Sequence, residues 1–167
     1  MGKIFTQDLS RYSAKDSFAK SLKIVIISSG ATAVLLYRIQ CFFYNHGCLL
    51  LAYATHRANL IFYGIDIVPG AQIGPGLRIE HPNGIVIGGK VRIGKNFTIL
   101  QNVTLGTRHV DSANYDDKFP MIGDDVIIGC NSSVLGGVLV KNKSVIGAHS
   151  LVLKDVEEGS KVFGLHK

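Results

Sequence analysis

Cysteine is scarce: three in 167 residues, Cys41, Cys48 and Cys130, with no CxxC pair and no Cys/His spacing of the zinc-site kind. No metal and no disulfide framework is expected, and with no leader-like segment at the N-terminus the thiols read as free in a reducing compartment. Long apolar runs are missing too. Ile24 to Tyr37 is fourteen residues without a charge, Arg38 interrupts, and the runs Ile39–Tyr44 and Cys48–Ala54 follow. None of the three runs reaches the ~20 residues that cross a bilayer. Acidic residues are in deficit, 12 against 18 Lys and Arg, and the imbalance sits at one end. Residues 1–65 hold seven basic against two acidic residues, and the remainder holds eleven against ten. With no basic face on that remainder and no nucleic-acid motif, a nucleic-acid partner is not expected.

What the chain does have is a six-residue beat. Aliphatic residues fall at Ile67, Ile73 and Ile79, then after a two-residue insertion at Ile87, Ile93, Ile99 and Leu105, and after a longer interruption at Ile122, Ile128, Val134, Val140, Ile146 and Val152. Four residues after most beats stands a second small or apolar residue, among them Ala71, Leu77, Val91, Phe97, Val103, Ser132 and Ser150. A helix needs a period of 3.6 and an amphipathic strand a period of 2, so a sustained 6 fits neither. It fits a parallel β-helix, with one short strand and one corner per unit and three units per coil. Glycine follows the beat at Gly74, Gly88, Gly94, Gly106, Gly123, Gly129 and Gly147, where we expect it to turn tight corners.

The oily, basic N-terminal third reads as two helices, about 17–45 and 48–62, with Gly47 as the stop between them. Two uses of its apolar surface are open. It can cap the first coil of the β-helix, or lie on a membrane surface with Lys15, Lys20, Lys23 and Arg38 against anionic lipid. The division expected is a helical segment over 1–65 and a β-helix domain over 66–167, with an extruded loop at 107–121.

The insertion after Ile79 falls just past His81, so that corner bulges outward with an imidazole on it. Asp66 lies fifteen residues earlier, on the adjacent coil and three residues out of register with it. A carboxylate on one imidazole nitrogen fixes the tautomer and leaves the other nitrogen free to take a proton from a hydroxyl. No Ser or Cys stands in a nucleophile motif beside a base, so direct attack is expected rather than a covalent enzyme intermediate.

Three runs now stand together: Asp66-Ile67-Val68-Pro69-Gly70-Ala71, then Glu80-His81 leading into Gly84-Ile85-Val86-Ile87-Gly88, then Ile99-Leu100-Gln101-Asn102-Val103-Thr104-Leu105-Gly106. They resemble the serine acetyltransferase family, which includes relatives that O-acetylate sugars of bacterial capsular and exopolysaccharides. Asp8-Leu9-Ser10-Arg11-Tyr12 and Tyr37-Arg38-Ile39 are fainter echoes of it. The resemblance implies a left-handed parallel β-helix, a homotrimer, and acetyl-CoA in a groove between subunits. It implies His81 as catalytic base, Asp66 as the carboxylate that orients it, and Glu80 where serine-specific members use Asp to hold the substrate amine. For the acetyl-CoA arm it points to Gly129, Gly147, Ala148 and Ser150, with Lys154 as a candidate for the phosphates.

The loop departs from the family. Serine-specific members end it in Arg-His-Pro, which grips the amino-acid carboxylate; this chain has Lys118-Phe119-Pro120, preceded by Asp111, Tyr115, Asp116 and Asp117. Lys reproduces a two-pronged guanidinium clamp poorly. We therefore expect a sugar hydroxyl as acceptor, from a capsular or exopolysaccharide, with Tyr115, Phe119, Lys118 and His109 as its contacts. Serine, as in cysteine biosynthesis, is the alternative. The enzyme is expected in the cytoplasm, with peripheral contact at the inner face of the membrane. A zinc-dependent carbonic anhydrase on the same repeat would need three convergent His, and His109, His149 and His166 form no close pair. A non-enzymatic trimerising module would leave the Asp66–His81 pattern without a purpose.

Overall fold

A computed structural model of the chain describes residues 2–12, 18–108 and 119–167, with the backbone alone at 18–22. Helices α1 (Gly2–Ser10), α2 (Phe18–Ile27), α3 (Ser29–Asn45) and α4 (Leu49–Tyr63) precede a left-handed parallel β-helix. One helix expected over 17–45 is in fact two. Ser28 leaves the helical backbone at φ −96° and ψ 108°, and its hydroxyl accepts from the Ala31 N–H. The Thr32 hydroxyl donates to the Val25 carbonyl, an end that the break exposes, while the Ser28 carbonyl accepts from the Thr32 N–H at 3.0 Å. The apolar run concealed this cap because Ile, Val and Ala continue on both sides of it. Gly47, at φ +75°, ends α3 in the expected place.

Fifteen short strands among the described residues stack on three faces. One face carries β1 (Ile65–Ile67), β4 (Ile85–Ile87), β7 (Thr104–Gly106), β10 (Ser133–Leu135), β13 (Leu151–Val152) and β15 (Leu165–His166) in that order. A second carries β2 (Gln72–Ile73), β5 (Arg92–Ile93), β8 (Met121–Ile122) and β11 (Leu139–Val140). The third carries β3 (Arg78–Ile79), β6 (Thr98–Ile99), β9 (Ile127–Ile128), β12 (Val145–Ile146) and β14 (Lys161–Val162). Every pair is parallel, and Val86 sits beside Thr104, eighteen residues on, which is one coil of three hexapeptides. Between Asp66 and Val86 the step is twenty, and between Thr104 and Ser133 twenty-nine, so the strands on either side of both insertions keep the phase.

All thirteen beat residues are buried, and the column Ile67, Ile87, Leu105, Val134, Val152 runs up one face in direct register. Each such side chain contributes about 1.5–3 kcal/mol when fully buried, and none of it is available to an unstacked coil. The second inward positions are buried as well, including Ser132, Ser144 and Ser150. These serines spend their hydroxyls on interior carbonyls: Ser132 and Ser150 both donate to Gly147 O, at 2.8 and 2.7 Å.

The glycines that follow the beat do not turn corners. The left-handed corner conformation belongs to His81, Asn96, Asn102, Asp125, Asn131, Lys143 and His149, and to a different set of glycines such as Gly70 and Gly76. The side-chain oxygen of Asn131 accepts from Asn102 at 3.0 Å, so one corner forms a ladder from coil to coil. A Cβ added at Gly129 would stand 2.6 Å from Ala148 N, so what glycine supplies there is close approach between coils, not a permissive φ.

Helix α3 covers the first coil. Ala33, Val34 and Tyr37 join the β-helix core, and Gly30 lies so close that an added Cβ would collide with the Ile79 carbonyl. The Tyr37 hydroxyl donates to Ala71 O at 3.0 Å and accepts from Ile73 N–H at 3.2 Å. Burial pushes the Tyr37 phenol well above its ordinary pKa, and the Tyr12 phenol also upward.

Candidate functional site

The site begins at the end of α4. Ala52, His56, Asn59 and Tyr63 recur at helical spacing on its packed side, with Ala52 and Asn59 fully buried and the Asn59 amide donating to Ala33 O at 3.1 Å. Gly64 then takes the left-handed conformation at φ +63°, closing the helix with its N–H on Leu60 O, and turns the chain into β1. A side chain could not follow here, because a Cβ would meet the Asn83 side-chain oxygen at 2.8 Å. That contact also defines the site: the corner carrying His81 lies against the junction from which Asp66 emerges.

His81 is exposed on this corner at φ +54°, a left-handed conformation for a residue with a side chain. It makes no hydrogen bond to another described residue. Asp66 is half-buried, and its bond goes elsewhere: Oδ1 accepts from His56 Nε2 at 2.8 Å. The sequence placed Asp66 on His81; the structure sets the two on touching segments and gives the carboxylate a second imidazole. The one sequence signal for this is the spacing of His56 with Ala52 and Asn59 on α4, which the apolar residues around it obscure.

Glu80 also has a partner that the sequence reading overlooked. Arg78, two residues earlier on the same outward side of the strand, donates Nε–H to Glu80 Oε1. The Tyr12 hydroxyl clamps the strand between them, accepting from Ile79 N–H at 2.7 Å and donating to Ile79 O at 3.2 Å. Arg11 spans to the next coil, donating to Asn96 O and to the Thr98 hydroxyl. The motif around Asp8 to Tyr12 is thus a strap laid across the β3–β6 face beside Glu80.

Several expected contacts fall elsewhere. His109, Asp111, Tyr115, Asp116, Asp117 and Lys118 lie outside the described residues. Phe119 is half-buried: it packs on the core with its edge over Gly88, where an added Cβ would be 2.4 Å away. Of the groups expected to hold acetyl-CoA, the Gly129 and Gly147 N–H donate to Ile146 O and Val162 O in the coil ladder. Ser150 is buried with its hydroxyl committed inward, and Gly147 lies under the Phe163 ring. Ala148 and Lys154 remain exposed and available. Within this single chain, then, the small residues of the late coils act mainly in stacking. A cleft of about 750 Å³ opens elsewhere, between α3 and the face of β2, β5 and β8, and none of the expected site residues lines it.

An exposed corner imidazole, on a segment that touches the one carrying a carboxylate, is equipped to take a proton from a hydroxyl. The comparisons agree with that chemistry. Residues 119–154 match the bacterial transferase hexapeptide family model, described as six repeats. Serine acetyltransferase of Bacillus pumilus is 35% identical over 164 residues, which covers 98% of this chain and 74% of the relative. Soybean serine acetyltransferase in complex with serine superposes with a TM-score of 0.84 at 31% identity, covering 97% of this chain and 66% of the soybean chain. A serine acetyltransferase in complex with CoA gives a TM-score of 0.84 at 29% identity, covering 97% of this chain and 66% of that one. The chain spans about three quarters of the curated relative and just under two thirds of these solved chains. With 35% identity to a serine acetyltransferase across 98% of its length, the chain belongs to the serine acetyltransferase family of hexapeptide-repeat acyltransferases.

Proposed function

We propose that this protein transfers the acetyl group of acetyl-CoA to the hydroxyl of L-serine, giving O-acetylserine and free CoA. The observation that carries the reading is the match to named serine acetyltransferases, at 35% identity over 98% of the chain. The same match overturns the expectation of a capsular or exopolysaccharide sugar as acceptor. That expectation rests on Lys118-Phe119-Pro120 standing where serine-specific members have Arg-His-Pro, and on the acidic and aromatic residues before it, a few positions of one loop set against a likeness that spans nearly the whole chain.

In this reading His81 takes the serine hydroxyl proton, the oxygen attacks the thioester carbonyl, and the CoA thiolate leaves and recovers a proton. Proton transfer to His81 contributes the ~10²–10⁴-fold typical of general-base catalysis, and Asp66 stabilises the imidazolium that forms. Glu80 receives the substrate ammonium on Oε2, and Arg78, held on Oε1, supplies the cation for the substrate carboxylate. Side by side they present one negative and one positive group to a zwitterion. Lys154 and Ala148 serve acetyl-CoA from the exposed edge of the late coils, and a homotrimer brings a neighbouring subunit to complete that groove.

We assign the reaction to the cytoplasm with peripheral contact at the membrane. Ile26 and Ile27 on α2 are 75% and 71% exposed, near Lys23, and Leu50, Ile61 and Phe62 protrude from α4. No helix among the described residues is long and apolar enough to cross a bilayer. Co-flotation with anionic vesicles is expected, and protein left entirely in the soluble layer would remove the membrane contact.

The deciding experiment is release of free CoA from acetyl-CoA, with L-serine compared against nucleotide sugars and capsular oligosaccharides. Turnover is expected with serine. Turnover with a glycan and none with serine would overturn the assignment.

A further inference from the structure

We propose that His56 is a positioning residue for the reaction, holding Asp66 so that one carboxylate serves two imidazoles. The inference rests on the reading of Asp66 and His81 given above, and on one contact that this reading does not require: His56 Nε2 to Asp66 Oδ1 at 2.8 Å.

The chemistry of the pair is constrained. An ionised carboxylate only accepts, so Nε2 of His56 carries the hydrogen. His56 sits on the packed side of α4 with its side chain 14% exposed, whereas that of Asp66 is 37% exposed. The buried partner is therefore the anchor and the exposed one is the working group. With Oδ1 occupied, Oδ2 is the oxygen left for the corner at 81–84, which touches the α4–β1 junction through Gly64 and Asn83. A half-exposed Asp otherwise rotates about its terminal bond, and each orientation it samples away from His81 is time in which the base is unsupported.

The anchor is rigid for a stated reason. Three groups fix its end of α4: Asn59 bonded to Ala33 O, Tyr63 packed on the core, and Gly64 closing the helix with its N–H on Leu60 O. His56 thus transmits the position of the helical segment to the catalytic carboxylate. The first 64 residues then take part in the reaction as well as covering the first coil.

The test compares His56→Ala and His56→Gln with wild type, using CoA release with L-serine and acetyl-CoA, in wild-type and Asp66→Asn backgrounds. Gln keeps an N–H donor on a side chain of similar reach. For His56→Ala we expect kcat to fall about tenfold or more, a part of the ~10²–10⁴-fold of general-base help, with both KM values within about twofold. His56→Gln should recover most of kcat. In the Asp66→Asn background His56→Ala should cost little further, because the two residues act through one contact. Undiminished kcat in His56→Ala, or a full additional loss on top of Asp66→Asn, overturns the proposal while leaving the His81 mechanism standing. A fall in kcat that Gln does not rescue, with melting temperature and KM changing alongside, assigns His56 to folding and also overturns it. If Asp66→Asn and His81→Ala both retain wild-type kcat, the underlying reading has failed and this proposal fails with it.

Discussion

Arg38 and Asp8 form a buried fork, Nε to Oδ2 at 2.8 Å and Nη2 to Oδ1 at 3.0 Å, with Asp8 fully buried and Arg38 5% exposed. Their remaining capacity is spent on the first coil. Arg38 donates to Ile73 O and Gly74 O at 2.7 Å each, and Asp8 Oδ1 accepts from Gly76 N–H and Leu77 N–H at 2.8 Å each. One ion pair thereby ties α1, α3 and the turn between β2 and β3. Asp8→Ala leaves a buried guanidinium without its counter-charge, and breaking such a pair costs about 3–5 kcal/mol. Urea denaturation followed by circular dichroism should show the midpoint falling accordingly, and an unchanged midpoint would refute the argument.

Replacing His81 with Ala is expected to lower kcat by ~10²–10⁴-fold, the range of general-base catalysis. Its corner is exposed, so the assembly measured by size-exclusion chromatography should not change. Near-normal turnover would exclude His81 as the base.

The Arg78–Glu80 pair predicts a split by substrate. Hydrogen bonds to charged groups contribute about 1.5–3 kcal/mol, so Glu80→Gln and Arg78→Leu should each raise the KM for serine about tenfold or more while leaving that for acetyl-CoA alone. Initial-rate kinetics with each substrate varied will show it. A shift confined to the acetyl-CoA KM would move this pair out of the acceptor site.

Gly64→Ala should destabilise by more than about 1 kcal/mol, since the substitution meets both a φ of +63° and the Asn83 oxygen at 2.8 Å. The same shift displaces the His81 corner from Asp66, so kcat should fall with stability. Thermal melts and turnover on one preparation test both, and a variant that loses stability but keeps full kcat would show that the junction does not set the site.

High pH should unfold the protein. Burial raises the pKa of the Tyr12 and Tyr37 phenols above the 10.0 of a free tyrosine, so the unfolded chain loses these protons first. Stability from both is complete below pH 10.0 and is lost as pH rises through the higher folded values, at up to about 1.4 kcal/mol per pH unit per group. Melting temperatures measured from pH 9 to 11 should decline above about 10, less steeply in Tyr37→Phe.

The regularity of the chain made the β-helix legible. A strand that must point the same residue inward once per unit advertises its period, and Ile67 through Val152 all point inward as that period requires. The glycines were legible only as positions. That Gly129 answers to Ala148 N depends on a residue nineteen places on, which no local conformational preference reveals. The break at Ser28 was present in the text as Ser-Ser-Gly but outweighed by the apolar residues around it.

The sequence by itself determined the coil, the outward corner at His81, and the residue types that suit acyl transfer to a hydroxyl, because repeat period and motif spacing are properties of the chain read in order. Only the tertiary structure decided the partners: His56 for Asp66, Arg78 for Glu80, Asp8 for Arg38, and the packing of Phe119 on the core. A side chain of fixed type can bond whatever the fold brings within about 3 Å, and that neighbourhood is set by how α1, α3 and α4 pack on the first coils.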